Sequence, residues 1–161
     1  MPTAIPELII AEVKSRLEAI TTANGYDVQV AGVDRVNRLG EDFTPRHLGV
    51  VIVTPSEERN TSHDRPGNPP VIAYRLPVSI SVFVRLPEGT NDREDTAVNA
   101  IQAAIKKSIT NASDWYTFGG NGYNAEWGVS EKFESTDHMG VTIELVSLYR
   151  VSELDPFTAL P

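Results

Sequence analysis

Residues 71–86 read VIAYRLPVSISVFVRL. Every even position is apolar: Ile72, Tyr74, Leu76, Val78, Ile80, Val82, Val84 and Leu86. The odd positions include Arg75, Pro77, Ser79, Ser81 and Arg85. A two-residue period sustained over this length predicts one long, half-buried strand. At about 3.3 Å per residue it would reach roughly 50 Å. A domain of this size has a radius of gyration of only about 15 Å, so the strand is expected to overrun its own core. Pro77 has no N–H to give a ladder and divides the element into an outer half, 71–76, and an inner half, 78–86. The outer half is expected to pair with residues 47–54 in a projecting hairpin tipped by residues 55–70. Ile72, Tyr74 and Leu76 then need cover. Either a neighbouring subunit supplies it, or the strand bends and the chain's own core does.

The remaining pattern predicts a layered domain. Ile9, Val13, Leu17 and Ile20 fall on one face of a helix over residues 3–23. Pro6 suits its first turn and Gly25 its end. Residues 26–36 read as a strand in which Gly32 marks a bulge. The apolar run Val50, Val51, Ile52 and Val53 suggests a central strand over 47–54. Residues 55–70, PSEERNTSHDRPGNPP, are polar and proline-rich and read as an exposed loop. A second helix over 93–110 carries Ala97, Val98, Ile101, Ala104, Ile105 and Ile109 as one stripe. A turn-rich connection, 111–123, leads to strands at 124–134 and 140–151. In the last of these the apolar phase passes from Val141, Ile143 and Leu145 to Val146 and Leu148. Residues 152–161 read as an extended tail. The order helix, three strands, helix, two strands predicts an α+β domain, 1–161. It has two layers: a mainly antiparallel sheet with both helices on one face, and a long projecting hairpin.

Composition narrows the function classes. The formal charge is −8, from 14 basic and 22 acidic residues. The basic residues are scattered, so the patch that nucleic-acid binders use to neutralise phosphates is missing. An acidic surface can face DNA without holding it, because like charges repel. No apolar run approaches the ~20 residues of a membrane span, and the acidic start is not expected to be a secretion signal. Without a single cysteine, thiolate metal sites and cysteine nucleophiles are excluded.

Candidate chemistry is sparse. His47, His63 and His138 lie far apart and lack metal-ligand spacing. The stretch FGGNGY, 118–123, lacks the Lys-Ser/Thr and the following helix of a phosphate loop and reads as a turn. The cluster Trp115, Tyr116, Phe118, Tyr123 and Trp127 reads as a cap on the end of the core, with Trp115 and Tyr116 as candidate interface anchors. Glu88, Asp92, Glu94 and Asp95 lack the alternating ligands of a calcium loop and suit a helix start. No catalytic, metal or cofactor site is predicted.

The layout resembles a known family. An N-terminal amphipathic helix is followed by Tyr26-Asp27-Val28 and a Val-rich strand. A long alternating strand leads to an acidic turn, an Ala/Ile-rich helix and a closing hairpin. Over residues 3–151 this resembles the tail terminator (tail-completion or minor tail) proteins of long-tailed bacteriophages. The resemblance rests on element order and size, not on a motif. It implies a structural virion protein of the tail's neck region, made in the host cytoplasm, and not an enzyme. Such proteins form a homo-hexameric ring that caps the tail tube protein, stops its growth and meets the head connector or stopper. DNA passes through without specific binding, and no membrane or cofactor is involved. On this reading Ile72, Tyr74, Leu76, Trp115 and Tyr116 are candidate interface residues. Glu88, Asp92, Glu94 and Asp95 are candidate lumen or ring-edge acids. Alternatives are a head-completion or tail tube protein, or a small cytosolic enzyme or ligand-binding domain with a pocket between sheet and helices.

Overall fold

A computed structural model describes residues 3–30, 32–35, 50–55, 59–65, 70–84, 91–134 and 139–160. The elements in chain order are α1 (Ile5–Glu18), β1 (Gly32–Asp34), β2 (Val50–Pro55), β3 (Arg59–Arg65), β4 (Val71–Val84), α2 (Asn91–Thr110), β5 (Asn124–Glu134), β6 (Met139–Ser152) and β7 (Asp155–Ala159). They form an α+β domain built on one seven-stranded sheet, with backbone order β1-β2-β4-β6-β5. β3 adds beside β4, and β7 beside β6. Every pairing is antiparallel except β1 with β2.

The alternation of β4 decides which face is buried. Ile72, Leu76, Val78, Ile80, Val82 and Val84 are buried, with Tyr74 half-buried among them. β6 runs antiparallel along all of β4, setting Val78 opposite Leu145, Ile80 opposite Ile143 and Val82 opposite Val141. These rows meet Ile9, Val13 and Leu17 of α1 and Val98, Ile101, Ile105 and Ile109 of α2 in one core. Fully burying each such side chain contributes about 1.5–3 kcal/mol. Pro6 sits in the first turn of α1, as expected. Gly25 takes the left-handed conformation (φ 78°) after a short 3-10 turn, Thr22–Asn24, rather than at the end of α1.

Several expectations are corrected. Residues 55–70 are not one loop: Arg59–Arg65 form β3, which pairs with the outer half of β4 (Arg59 opposite Arg75, Arg65 opposite Val71). The long hairpin is therefore β2 and β3 against β4, and the inner half of β4 takes β2 (Val50 opposite Phe83, Pro55 opposite Val78). Pro77 marks the gap between these two ladders, as its missing N–H suggests, while the ladder to β6 runs through it (Pro77 opposite Val146). Among the described residues of the strand expected over 26–36, Gly32–Asp34 are paired, in an unbroken register with Val50–Ile52. The apolar phase of β6 does not switch: Ser147, Tyr149 and Val151 continue the buried odd rows, and Val146 is buried on the opposite face. Nor is 152–161 simply an extended tail, since β7 folds back on β6.

Candidate functional site

Three regions have the geometry to meet something else: the helix-free face of the sheet, its two edges, and the ends of the helices. On the helix-free face, Ser79, Ser81 and Phe83 of β4 lie opposite Glu144, Thr142 and Gly140 of β6. Glu131 and Glu126 of β5 share this face, opposite Thr142 and Val146. The Ser81 and Thr142 hydroxyls are 3.1 Å apart. Arg75 reaches Glu126 at 3.5 Å, and the Arg150 guanidinium stacks 3.8 Å from the Tyr123 ring. The face therefore carries hydroxyls and the acids Glu126, Glu131 and Glu144 beside an edge-to-face Phe83–Phe133 pair (5.2 Å), with its cations Arg75 and Arg150 held by neighbours.

The edges are composite. One consists of β1 and β3, the other of β5 and β7. In β5 the register slips between Trp127 and Ser130, a bulge at Gly128 and Val129. A Cβ on Gly128 would lie 2.7 Å from Glu144 Oε1 and 2.9 Å from Glu144 Cβ, so only glycine fits there. The bulge turns Val129 out, 67% exposed.

At the end of the helices, Arg16 ties α1 to α2. Its Nη1 donates to the carbonyls of Ile109 (2.8 Å) and Trp115 (3.1 Å), its Nε to Glu12 (2.8 Å), and its guanidinium lies 5.4 Å from the Phe118 ring. The Ser108 hydroxyl donates to the Arg16 carbonyl. Trp115 stacks on Trp127 at 6.3 Å, and Lys106 sits 5.9 Å from the Trp127 ring. Phe118 is fully buried with a left-handed backbone (φ 47°), followed by Gly119 and Gly120 at φ 70° and 88°. The aromatic cluster thus caps the core, and FGGNGY is the turn into β5. Beside it a cavity of about 460 Å³ is lined by Glu12, Arg16, Asn24, Tyr26 and Ser108.

No family model and no curated protein matches the chain.

The structure separates the sequence-predicted residues. Ile72 and Leu76 are buried within the single chain, on the face that carries Tyr149 and Val151, so they present no free surface. Tyr74 is half-buried and stacks on Tyr149 at 5.3 Å. Leu76 belongs to the chain's own core cluster with Tyr149 and Val151, and Tyr74 packs against it. Trp115 is half-buried and Tyr116 is 39% exposed. Asp92, Glu94 and Asp95 fall at the start of α2, while Glu88, His47 and His138 lie outside the described residues. His63 falls on β3. Among the described residues no three His, Cys, Asp or Glu side chains converge on a metal site, and no helix is long and apolar enough to cross a membrane. The edge residues Val129, Leu154 and Phe157 were missed. The bulge and the fold-back that expose them depend on register, which local pattern does not encode.

Proposed function

We propose that the chain is a structural ring subunit of a phage neck, of the tail-terminator type, capping the tail tube and letting DNA pass. The observation that carries this reading is the two-faced sheet. One face is filled by both helices. The other is helix-free among the described residues, carries hydroxyls and the acids Glu126, Glu131 and Glu144, and spans strands of 14 residues, β4 and β6, or roughly 45 Å. A rigid slab of this length with Ser79, Ser81, Thr142, Glu131 and Glu144 on its open face suits a wall past which a polyanion slides. Like charge at Glu126, Glu131 and Glu144 repels the phosphates, while on the same face Arg75 is paired with Glu126 and Arg150 stacks on the Tyr123 ring. Asp92, Glu94 and Asp95 start α2, which packs on the other face, so the wall acids of this reading are Glu126, Glu131 and Glu144.

Negative-stain electron microscopy of the purified protein at high concentration tests it. Closed sixfold rings with a hole wide enough for duplex DNA are expected. A protein that stays monomeric up to millimolar concentration refutes the reading. The cavity beside Arg16 favours a second reading, a small-ligand domain, because polar groups converge there. A screen of small polar metabolites by ligand-observed NMR, with binding lost in Glu12→Ala, would establish it.

A further inference from the structure

We propose that copies of this chain join head to tail by continuing the sheet, with the β3 edge of one copy set against the β7 edge of the next. The inference rests on the ring reading and names the surface that builds the ring. Register supplies the first argument. Arg65 pairs with Val71, Val71 with Ser152, and Ser152 with Asp155, so Arg65 and Asp155 end one row of the sheet on opposite edges. β3 and β7 therefore lie at the same level. β3 runs antiparallel to β4, and β7 antiparallel to β6, so a sheet continued across copies brings β3 and β7 together antiparallel. That is the orientation in which short strands pair well. Among the described residues neither strand has a partner on its second edge.

Side-chain chemistry supplies the second argument. Of the four exposed large apolar residues among those described, two lie on β7 or in the turn before it: Leu154 (77% exposed) and Phe157 (43% exposed). The same strand and turn carry exposed Glu153 and Asp155. The β3 sequence, RNTSHDR, carries Arg59, His63 and Arg65 against one acid, Asp64. By sequence, the acidic β7 end with its exposed apolar groups thus meets a β3 strand of net positive charge. The contact is heterologous, the type that closes into a ring when the rotation per copy allows it. The bulge at Gly128 and Val129 interrupts the β5 stretch of the same edge, between the Leu145 and Ile143 levels, and discourages pairing there.

The absence of cysteine makes the test direct. In Arg65→Cys/Asp155→Cys, oxidation is expected to give a ladder of disulfide-linked multimers on non-reducing gels, which neither single variant gives. As a second reading of the same contact, Arg65→Glu is expected to raise the self-association dissociation constant at least tenfold. Arg65→Glu/Asp155→Arg is expected to restore it to within about threefold. Circular dichroism checks that each variant is folded. Rings in the microscope without the ladder and without charge rescue overturn the edge assignment and leave the ring reading standing. No self-association of the parent protein at any concentration overturns both. A ladder with charge rescue establishes the contact.

Discussion

Arg16 makes the most demanding single contact set in the described structure, and its loss can be worked out. Two carbonyls, Ile109 O in the last turn of α2 and Trp115 O, which also accepts from Phe118 N–H at 3.4 Å, receive its Nη1 at 2.8 and 3.1 Å. A hydrogen bond from a charged group contributes about 1.5–3 kcal/mol. Because each carbonyl keeps a second lone pair and lies near water, the low end applies to both. The Glu12 pair lies along one helix at i, i+4 with Glu12 38% exposed, and adds at most ~0.5 kcal/mol. The contact with the Phe118 ring at 5.4 Å adds ~0.5–1 kcal/mol. These terms share one side chain and do not simply add, so Arg16→Ala is expected to cost about 3 kcal/mol. Arg16→Lys keeps the charge but loses the planar fork and should recover less than half. Urea unfolding followed by tryptophan fluorescence measures this, with the m-value checked for constancy. For a chain of this length 3 kcal/mol corresponds to a melting temperature lower by roughly 6–12 °C. If Arg16→Ala unfolds within about 0.5 kcal/mol of the parent, the carbonyls are satisfied by water and the clasp does not hold the helices.

Other consequences are as specific. A Cβ on Gly140 would lie 2.1 Å from the Phe133 ring and 2.4 Å from the Val82 carbonyl. Gly140→Ala should therefore destabilise by about 2–3 kcal/mol in chemical denaturation. Adding Phe133→Ala should rescue it only in part, because the backbone contact remains. Tyr74 and Tyr149 face each other across β4 and β6 at 5.3 Å, and a double-mutant cycle to alanine should show a coupling of about 1 kcal/mol. Arg35 donates to both oxygens of Glu7 at 2.6 and 3.0 Å. This hydrogen bonding holds the Glu7 carboxyl below its ordinary range against a smaller opposing effect of burial. Because the folded pKa is depressed, the pair stabilises above the unfolded carboxyl pKa, and that stability is lost as pH falls through the folded value. Glu7→Gln should flatten the stability profile below about pH 4. Both side chains are about a third exposed or more, so the change should stay under ~1 kcal/mol. An unchanged profile would show that the pair is screened out.

How far the fold could be read in advance depended on where burial followed a local period. The even positions of β4 alternate without a break, and α2 shows one stripe, so both were legible almost to their ends. β3 was not, because Arg59–Arg65 holds no large apolar residue and is a strand only through its pairing with the outer half of β4. β6 misled in the opposite way. Val146 is apolar and buried on the second face, so the run looked like a change of phase when both faces were being filled. The alternation at Ile72 and Leu76 told which face they occupy but not what covers it. For Leu76 that was settled by the core cluster it forms with Tyr149 and Val151, a contact between segments some seventy residues apart in sequence.

These differences also separate the groups that fold the domain from those free to act outside it. At the helix ends several polar and aromatic groups hold the fold together. Arg16 clasps two carbonyls, Ser108 bonds to Arg16, Lys106 lies by Trp127, and Lys107 lies 5.0 Å from the Tyr26 ring. The outer end of the sheet is arranged differently. Glu153 N–H is held by Pro70 O at 3.1 Å, fixing the turn that joins β6 to β7, yet the Leu154 side chain beside it faces solvent. A turn whose backbone is anchored while its apolar side chain is left out gains nothing in folding from that side chain. Its stabilisation is available only on association. Leu154→Ser should therefore leave the unfolding midpoint within about 0.5 kcal/mol of the parent while weakening self-association. A matching loss of monomer stability would place Leu154 in the fold and remove it from the proposed contact.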